Sequence, residues 1–170
     1  MDYQVVTKPG FTIIGYAIRT SIHGGQNLQD IPAFWSRYMN GEAGPRLCDA
    51  AVNNAEYGIC DEFDAATGTF SYIIGVEAKE DVQAPEGTAV VTKHYPEQTY
   101  AVFTTPRVAP EQFSPSIQQT WHYIYYEWLP ASDYEHGQAI EFEYYDERCW
   151  SDRNELLEMD IYMPIKPKSK

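Results

Sequence analysis

Val5-Val6-Thr7-Lys8 near the start of the chain recurs as Val90-Val91-Thr92-Lys93, 85 residues later. Self-similarity at a fixed period shapes a whole fold, so the flanks decide what this short match means. Each copy is followed by a turn signal, Pro9-Gly10 in the first half and Tyr95-Pro96-Glu97 in the second. Each turn is followed by a run of β-branched and aromatic residues, Thr12 to Ile18 and Thr99 to Thr105. Such runs bounded by turn residues are strands. Each pair of runs reads as a hairpin.

A helix follows in each half. Ile31, Phe34, Trp35, Tyr38 and Met39 fall at i, i+3, i+4, i+7 and i+8, one face of an α-helix. Asp30 is placed to cap it, with Pro32 in the first turn. In the second half Ile117, Trp121, Ile124, Tyr125 and Trp128 form the matching stripe. Ser114 or Ser116 is its expected cap, and Leu129-Pro130 its end. Trp35 aligns with Trp121 at an offset of 86 residues.

Two strands come after each helix. The first half offers Tyr57 to Phe63, a turn at Ala66-Thr67-Gly68, then Thr69 to Ala78. The second offers Ala139 to Tyr145, an acidic loop, then Leu156 to Ile165. Tyr57-Gly58-Ile59 aligns with Phe142-Glu143-Tyr144, again at 85. The expected fold is therefore α+β, a single domain of two pseudo-symmetric modules, about 1–84 and 85–167. Lys79 to Gly87, with Pro85-Glu86-Gly87, is the joint. The modules are expected to share one core, with both helices on one side of a joined antiparallel sheet.

Composition narrows the function. The chain has 170 residues and a net charge of −13, which repels phosphate backbones and argues against direct nucleic-acid binding. No apolar run reaches membrane-spanning length, and the N-terminus lacks a secretory pattern, so the expected location is the cytoplasm. Cys48, Cys60 and Cys149 are scattered and read as free thiols. Asp61-Glu62-Phe63-Asp64 lacks calcium-loop spacing, and the four histidines show no metal-ligand spacing, so no metal or cofactor is expected. The chain carries 14 Tyr and 4 Trp, enough for either a rich core or an aromatic binding wall.

The run Trp121-His122-Tyr123-Ile124-Tyr125-Tyr126-Glu127-Trp128-Leu129-Pro130-Ala131-Ser132-Asp133-Tyr134, followed by Phe142-Glu143-Tyr144, resembles the second half of GyrI-like proteins. These include the effector-binding domains of AraC- and MerR-type bacterial transcription activators. Ile31-Pro32-Ala33-Phe34-Trp35 is similar to the family's first helix, and Phe11-Thr12-Ile13-Ile14-Gly15 to its early strand. The resemblance implies two βαββ-type modules and one ligand pocket where they meet. In multidrug-sensing members a buried Glu of the second module faces lipophilic cations among aromatic rings. The matching position here is Glu143. With no helix-turn-helix or basic region in the sequence, the chain reads as a stand-alone member.

Strand alternation puts Glu141, Glu143 and Tyr145 on one face and Ile140, Phe142 and Tyr144 on the other. Taken without the resemblance, Glu143 reads as a solvated sheet residue. Its counterpart in the repeat is Gly58, so two facing carboxylates are avoided. Burial among rings would raise its pKa, and a lipophilic cation would offset that burial. Trp35, Trp121 and Tyr125 lie on inward helix faces and are candidate wall residues as much as core. Tyr72 and Tyr57 are further candidates, and Trp150 is either a lid or surface.

These residues support a small-molecule-binding protein for amphipathic, cationic compounds. One alternative is a hydrolase of cyclopropane-type genotoxins, with Glu143 activating water and Tyr125 orienting substrate or donating a proton. Another is an acidic interaction protein that modulates DNA gyrase or a transcription factor.

Overall fold

The computed structural model describes residues 1–41, 47–80, 82 and 89–169. The α+β class is borne out: the described residues form nine strands, all paired antiparallel, and two 14-residue helices. The chain divides into two compact units, Phe11–Tyr95 and Met1–Gly10 with Pro96–Lys170. Pro85-Glu86-Gly87 of the expected joint lies outside the described residues.

The Phe11–Tyr95 unit contains β2 (Phe11–Ser21), α1 (Gln26–Met39), β3 (Glu56–Asp64), β4 (Thr69–Glu77) and β5 (Val91–Tyr95). Its sheet runs β3-β4-β2-β5. Phe34 and Tyr38 of α1 pack against Ile14 and Tyr16 of β2 and against Tyr72, Ile74 and Val76 of β4. These are alternate residues along each strand, as a pleated sheet with one helix-covered face requires. Gly15 and Gly75 stand opposite each other in the β2–β4 register, where the two backbones approach closely.

The other unit contains β1 (Gln4–Lys8), β6 (Gln98–Thr104), α2 (Pro110–Tyr123), β7 (Tyr134–His136), β8 (Glu141–Tyr145) and β9 (Asp160–Pro167). Its sheet runs β1-β6-β9-β8, with β7 also on β9. Ala101 and Phe103 of β6 and Ile161, Met163 and Ile165 of β9 bury one face against Ile117, Ile124 and Trp128. Arg148 closes the loop between β8 and β9. It donates to Asp146 at 2.9 Å and to Asp160 at 2.7 Å, and these bonds hold its guanidinium pKa above the usual range.

The hairpins expected at the start of each half do not form. β1 pairs with β6, and β2 pairs with β5, so each unit takes its edge strand from the other half of the sequence. The expected module boundaries move accordingly, to the two short links at Pro9-Gly10 and Pro96. The physical reason lies in the repeat itself. The two exchanged strands share Val-Thr-Lys, so nothing local favours one partner. The Pro-containing links join strands that run on into separate ladders as readily as they reverse a chain.

Both helices also begin earlier than expected. Helix α1 follows Gly25, whose φ of 71° is left-handed, and Asp30 sits a full turn inside it. There its carboxylate accepts from Thr20 at 2.8 Å and Gln26 at 3.0 Å instead of capping. Helix α2 starts at Pro110, and Ser116 lies buried within it, donating to the Phe113 carbonyl at 2.8 Å. Met39, expected on the core stripe, is exposed. Pro130 does not end the second helix: a π-helical turn over Ile124–Trp128 runs into a short α3 (Leu129–Ala131), and the chain leaves at Ser132.

Candidate functional site

Strand β8 shows the expected alternation. Phe142 and Tyr144 lie on one face with Tyr100 and Tyr162; the Phe142 and Tyr162 rings stack at 4.3 Å. The other face presents Glu141, Glu143 and Tyr145 toward the helix. Glu143 is half-buried, and its two oxygens take different donors. Trp121 Nε1–H donates to Oε1 at 2.9 Å, and the Tyr145 hydroxyl donates to Oε2 at 2.8 Å. Both donors are neutral, so they fix the carboxylate's orientation without cancelling its charge.

One turn along, the Tyr125 hydroxyl donates to Glu141 Oε1, which His136 Nε2 also approaches at 2.7 Å. His136 Nδ1 accepts from the Gln138 backbone N–H at 2.9 Å. In the neutral ring the proton therefore resides on Nε2 and is donated to Glu141. The Trp121 and Tyr125 rings stack at 6.1 Å with an interplanar angle of 28°. The result is a continuous aromatic plate whose two polar tips are each tied to a different carboxylate of β8.

The π-helical turn explains why the expected stripe divides. In an uninterrupted α-helix Trp121, Tyr125 and Trp128 share one face. A wider turn rotates the residues that follow it. Trp128 accordingly packs elsewhere, edge-on to Phe103 at 4.9 Å and stacked on Tyr134 at 6.2 Å.

Among the residues singled out from sequence, Trp121, Tyr125 and Glu143 come together. Within the Phe11–Tyr95 unit, Trp35 Nε1–H donates to the Tyr72 hydroxyl at 2.9 Å. Tyr57 is buried and donates to Glu77 at 2.6 Å. Gly58, the repeat counterpart of Glu143, is buried. Trp150 lies beneath the Arg153 guanidinium, 4.6 Å from its ring centroid. Sequence reading did not single out Tyr145, His136 or Glu77 as partners. Period-two alternation already placed Tyr145 beside Glu143, whereas nothing local marked Glu77 or His136.

The acidic run on β3 is structural. Lys93 donates to Glu62 at 2.8 Å and lies 3.6 Å from Asp61, and its hydrogen bond draws the Glu62 carboxyl below its ordinary pKa. Cys149 is half-buried, and burial pushes its thiol up to about 12. At pH 8 it is almost wholly protonated and a poor nucleophile. Labelling with Ellman's reagent at that pH should therefore modify exposed Cys48 rapidly and leave Cys149 unmodified over the same interval. A Cys149→Ser variant with a diminished fast phase would contradict this.

A family model described as Cass2, integron-associated effector binding protein, matches residues 4–165. The chain belongs to this family. The transcriptional regulator BrlR of Pseudomonas aeruginosa is 30% identical over 168 residues, covering 97% of this chain and 56% of BrlR. The chain thus spans little more than half the length of that curated relative. A solved structure of SAV2435 bound to tetraphenylphosphonium matches with a TM-score of 0.74 at 22% identity, covering 98% of this chain and 94% of the other. An integron cassette protein from the mobile metagenome of Vibrio cholerae matches with a TM-score of 0.63 at 16% identity, covering 96% and 95%. At these identities the structural likeness is one of fold. The GyrI-like resemblance carried by the Trp121–Tyr134 run is borne out.

Proposed function

We propose that this Cass2-family chain binds amphipathic cations, with Glu143 supplying the charge and the stacked Trp121 and Tyr125 rings supplying an aromatic wall. The observation that carries this reading is the pair of neutral donors on Glu143. An indole N–H and a phenol O–H give the carboxylate a fixed direction and bring no charge of their own. A delocalised cation offers both partners it needs, an anion and a π-face. The −13 net charge adds a long-range field of the same sign. The tetraphenylphosphonium held by SAV2435 is a cation of this class. The hydrolytic alternative gains no support from these contacts, which commit the Tyr125 hydroxyl to Glu141.

Tetraphenylphosphonium and tetraphenylborate have nearly the same shape and opposite charge. Calorimetric titration of the intact chain should give saturable binding of the phosphonium and at least about tenfold weaker binding of the borate. Equal affinity for the two ions, or none for the phosphonium, refutes the proposal.

A further inference from the structure

The unit that carries Glu143 has a concavity of about 470 Å³ that includes none of Glu143, Trp121 or Tyr125. Its lining includes Tyr3, Tyr123, Trp128 and Tyr134, with Glu127 and Asp133 at the rim. The rotation introduced by the π-helical turn is what brings Trp128 here. Its indole forms the floor, only 8% exposed, with Tyr3 edge-on at 4.9 Å and Tyr134 stacked at 6.2 Å. Tyr3 is 40% exposed, so the aromatic surface is open to a ligand. Glu127 and Asp133 are both exposed, and neither side chain has a hydrogen bond or ion pair among the described residues. No Lys or Arg lines the cleft. Lys168 lies close to this segment, but its ammonium is bound to the carbonyls of Pro130 at 3.0 Å and Ser132 at 2.6 Å.

We propose that this cleft is a second binding site, for small quaternary or fully methylated ammonium groups. Their chemistry matches the lining. A trimethylammonium head spreads its charge over methyl groups and has no N–H to satisfy, so it needs a π-face and a nearby anion, not a set of acceptors. The ring faces supply the first and the two rim carboxylates the second. A primary ammonium is compact and strongly hydrated, and loses more on leaving water for an aromatic floor. The site does not depend on Glu143, and its success or failure is separable from that of the phosphonium reading.

The test uses choline and its uncharged carbon isostere 3,3-dimethyl-1-butanol, each titrated into the intact chain. The Trp128 indole N–H and Tyr134 ring resonances are followed by NMR. Choline should give saturable shifts at both, and the isostere at least about fivefold weaker ones. Glu127→Gln combined with Asp133→Asn should weaken choline by about fivefold or more. Both positions are exposed, so this variant folds as the parent does. Tyr3→Leu should weaken it as well, whereas Glu143→Gln should leave it unchanged. The proposal is overturned if the isostere binds as well as choline, if the double carboxamide variant keeps the parent affinity, or if Glu143→Gln abolishes the shifts.

Discussion

Replacing Glu143 by Gln should lower the affinity for tetraphenylphosphonium by about 10- to 100-fold while leaving the melting temperature within a few degrees of the parent. A unit charge about 4 Å from a carboxylate gains roughly 4 kcal/mol at the effective dielectric of a partly exposed protein site. Part of that gain is offset by desolvation of the ligand and of Glu143, leaving about 1.4–2.8 kcal/mol, which is the stated range of affinity. Gln keeps the shape: its carbonyl oxygen can still accept from Trp121, and its amide N–H can donate to the Tyr145 hydroxyl, which reverses its role, so the loss is chiefly that of the charge. Trp121→Phe makes the complementary measurement. It retains a ring and removes the donor at 2.9 Å, so the carboxylate keeps only the Tyr145 hydroxyl of its two orienting donors. A smaller loss than in Glu143→Gln is expected. Glu141→Gln should cost less still, because that carboxylate serves chiefly to hold Tyr125 and His136. Calorimetry on the three variants would rank them. An unaltered affinity in Glu143→Gln would move the binding site away from β8.

A large loss of stability is expected from a single methyl group at Gly75. A Cβ there would lie 2.6 Å from the Ile14 carbonyl oxygen and 2.8 Å from Ile13 Cγ2. The first is backbone in the centre of the β2–β4 ladder, which cannot turn aside as a flexible side chain can. Gly75→Ala should therefore destabilise the chain by about 2–3 kcal/mol, the upper part of the range for overpacking. For a chain of this size that corresponds to a fall of roughly 4–12 °C in melting temperature. Gly15, directly opposite, has its own close approach to the Ile74 carbonyl oxygen and should behave alike. Ala17→Ser, at an exposed position of the same strand, is the control and should stay within about 0.5 kcal/mol. Urea denaturation measures all three. A Gly75→Ala chain as stable as the control would mean that the strands separate at little expense.

Much of this architecture is legible from the sequence because it depends on periodicity. Strand alternation put Glu141, Glu143 and Tyr145 on one face of β8, where the structure has them. The 3.6-residue period identified Phe34, Tyr38, Ile117 and Ile124 as core, and all four are buried. The repeat offset located both helices and the strand of the candidate carboxylate. These features are local: they follow from where a side chain points relative to its own backbone.

What the sequence could not determine is partner choice. Duplicated edge strands β1 and β5 carry nearly the same residues, so which ladder each joins is fixed only when the whole chain has folded. The pairing of Gly15 with Gly75 makes two unremarked strand glycines sterically obligatory, through a contact 60 residues distant in sequence. The same holds at the site. Alternation placed three side chains on one face, but only tertiary packing decided that Trp121 and Tyr145 would hold Glu143 while Tyr125 and His136 held Glu141. The π-helical turn then divided the stripe, leaving Trp128 with Ile117 and Ile124 in the core and Trp121 stacked on Tyr125 beside β8. A single extra residue in one helical turn is invisible to a period count, yet it separates the aromatic wall beside Glu143 from the aromatic floor of the second cleft.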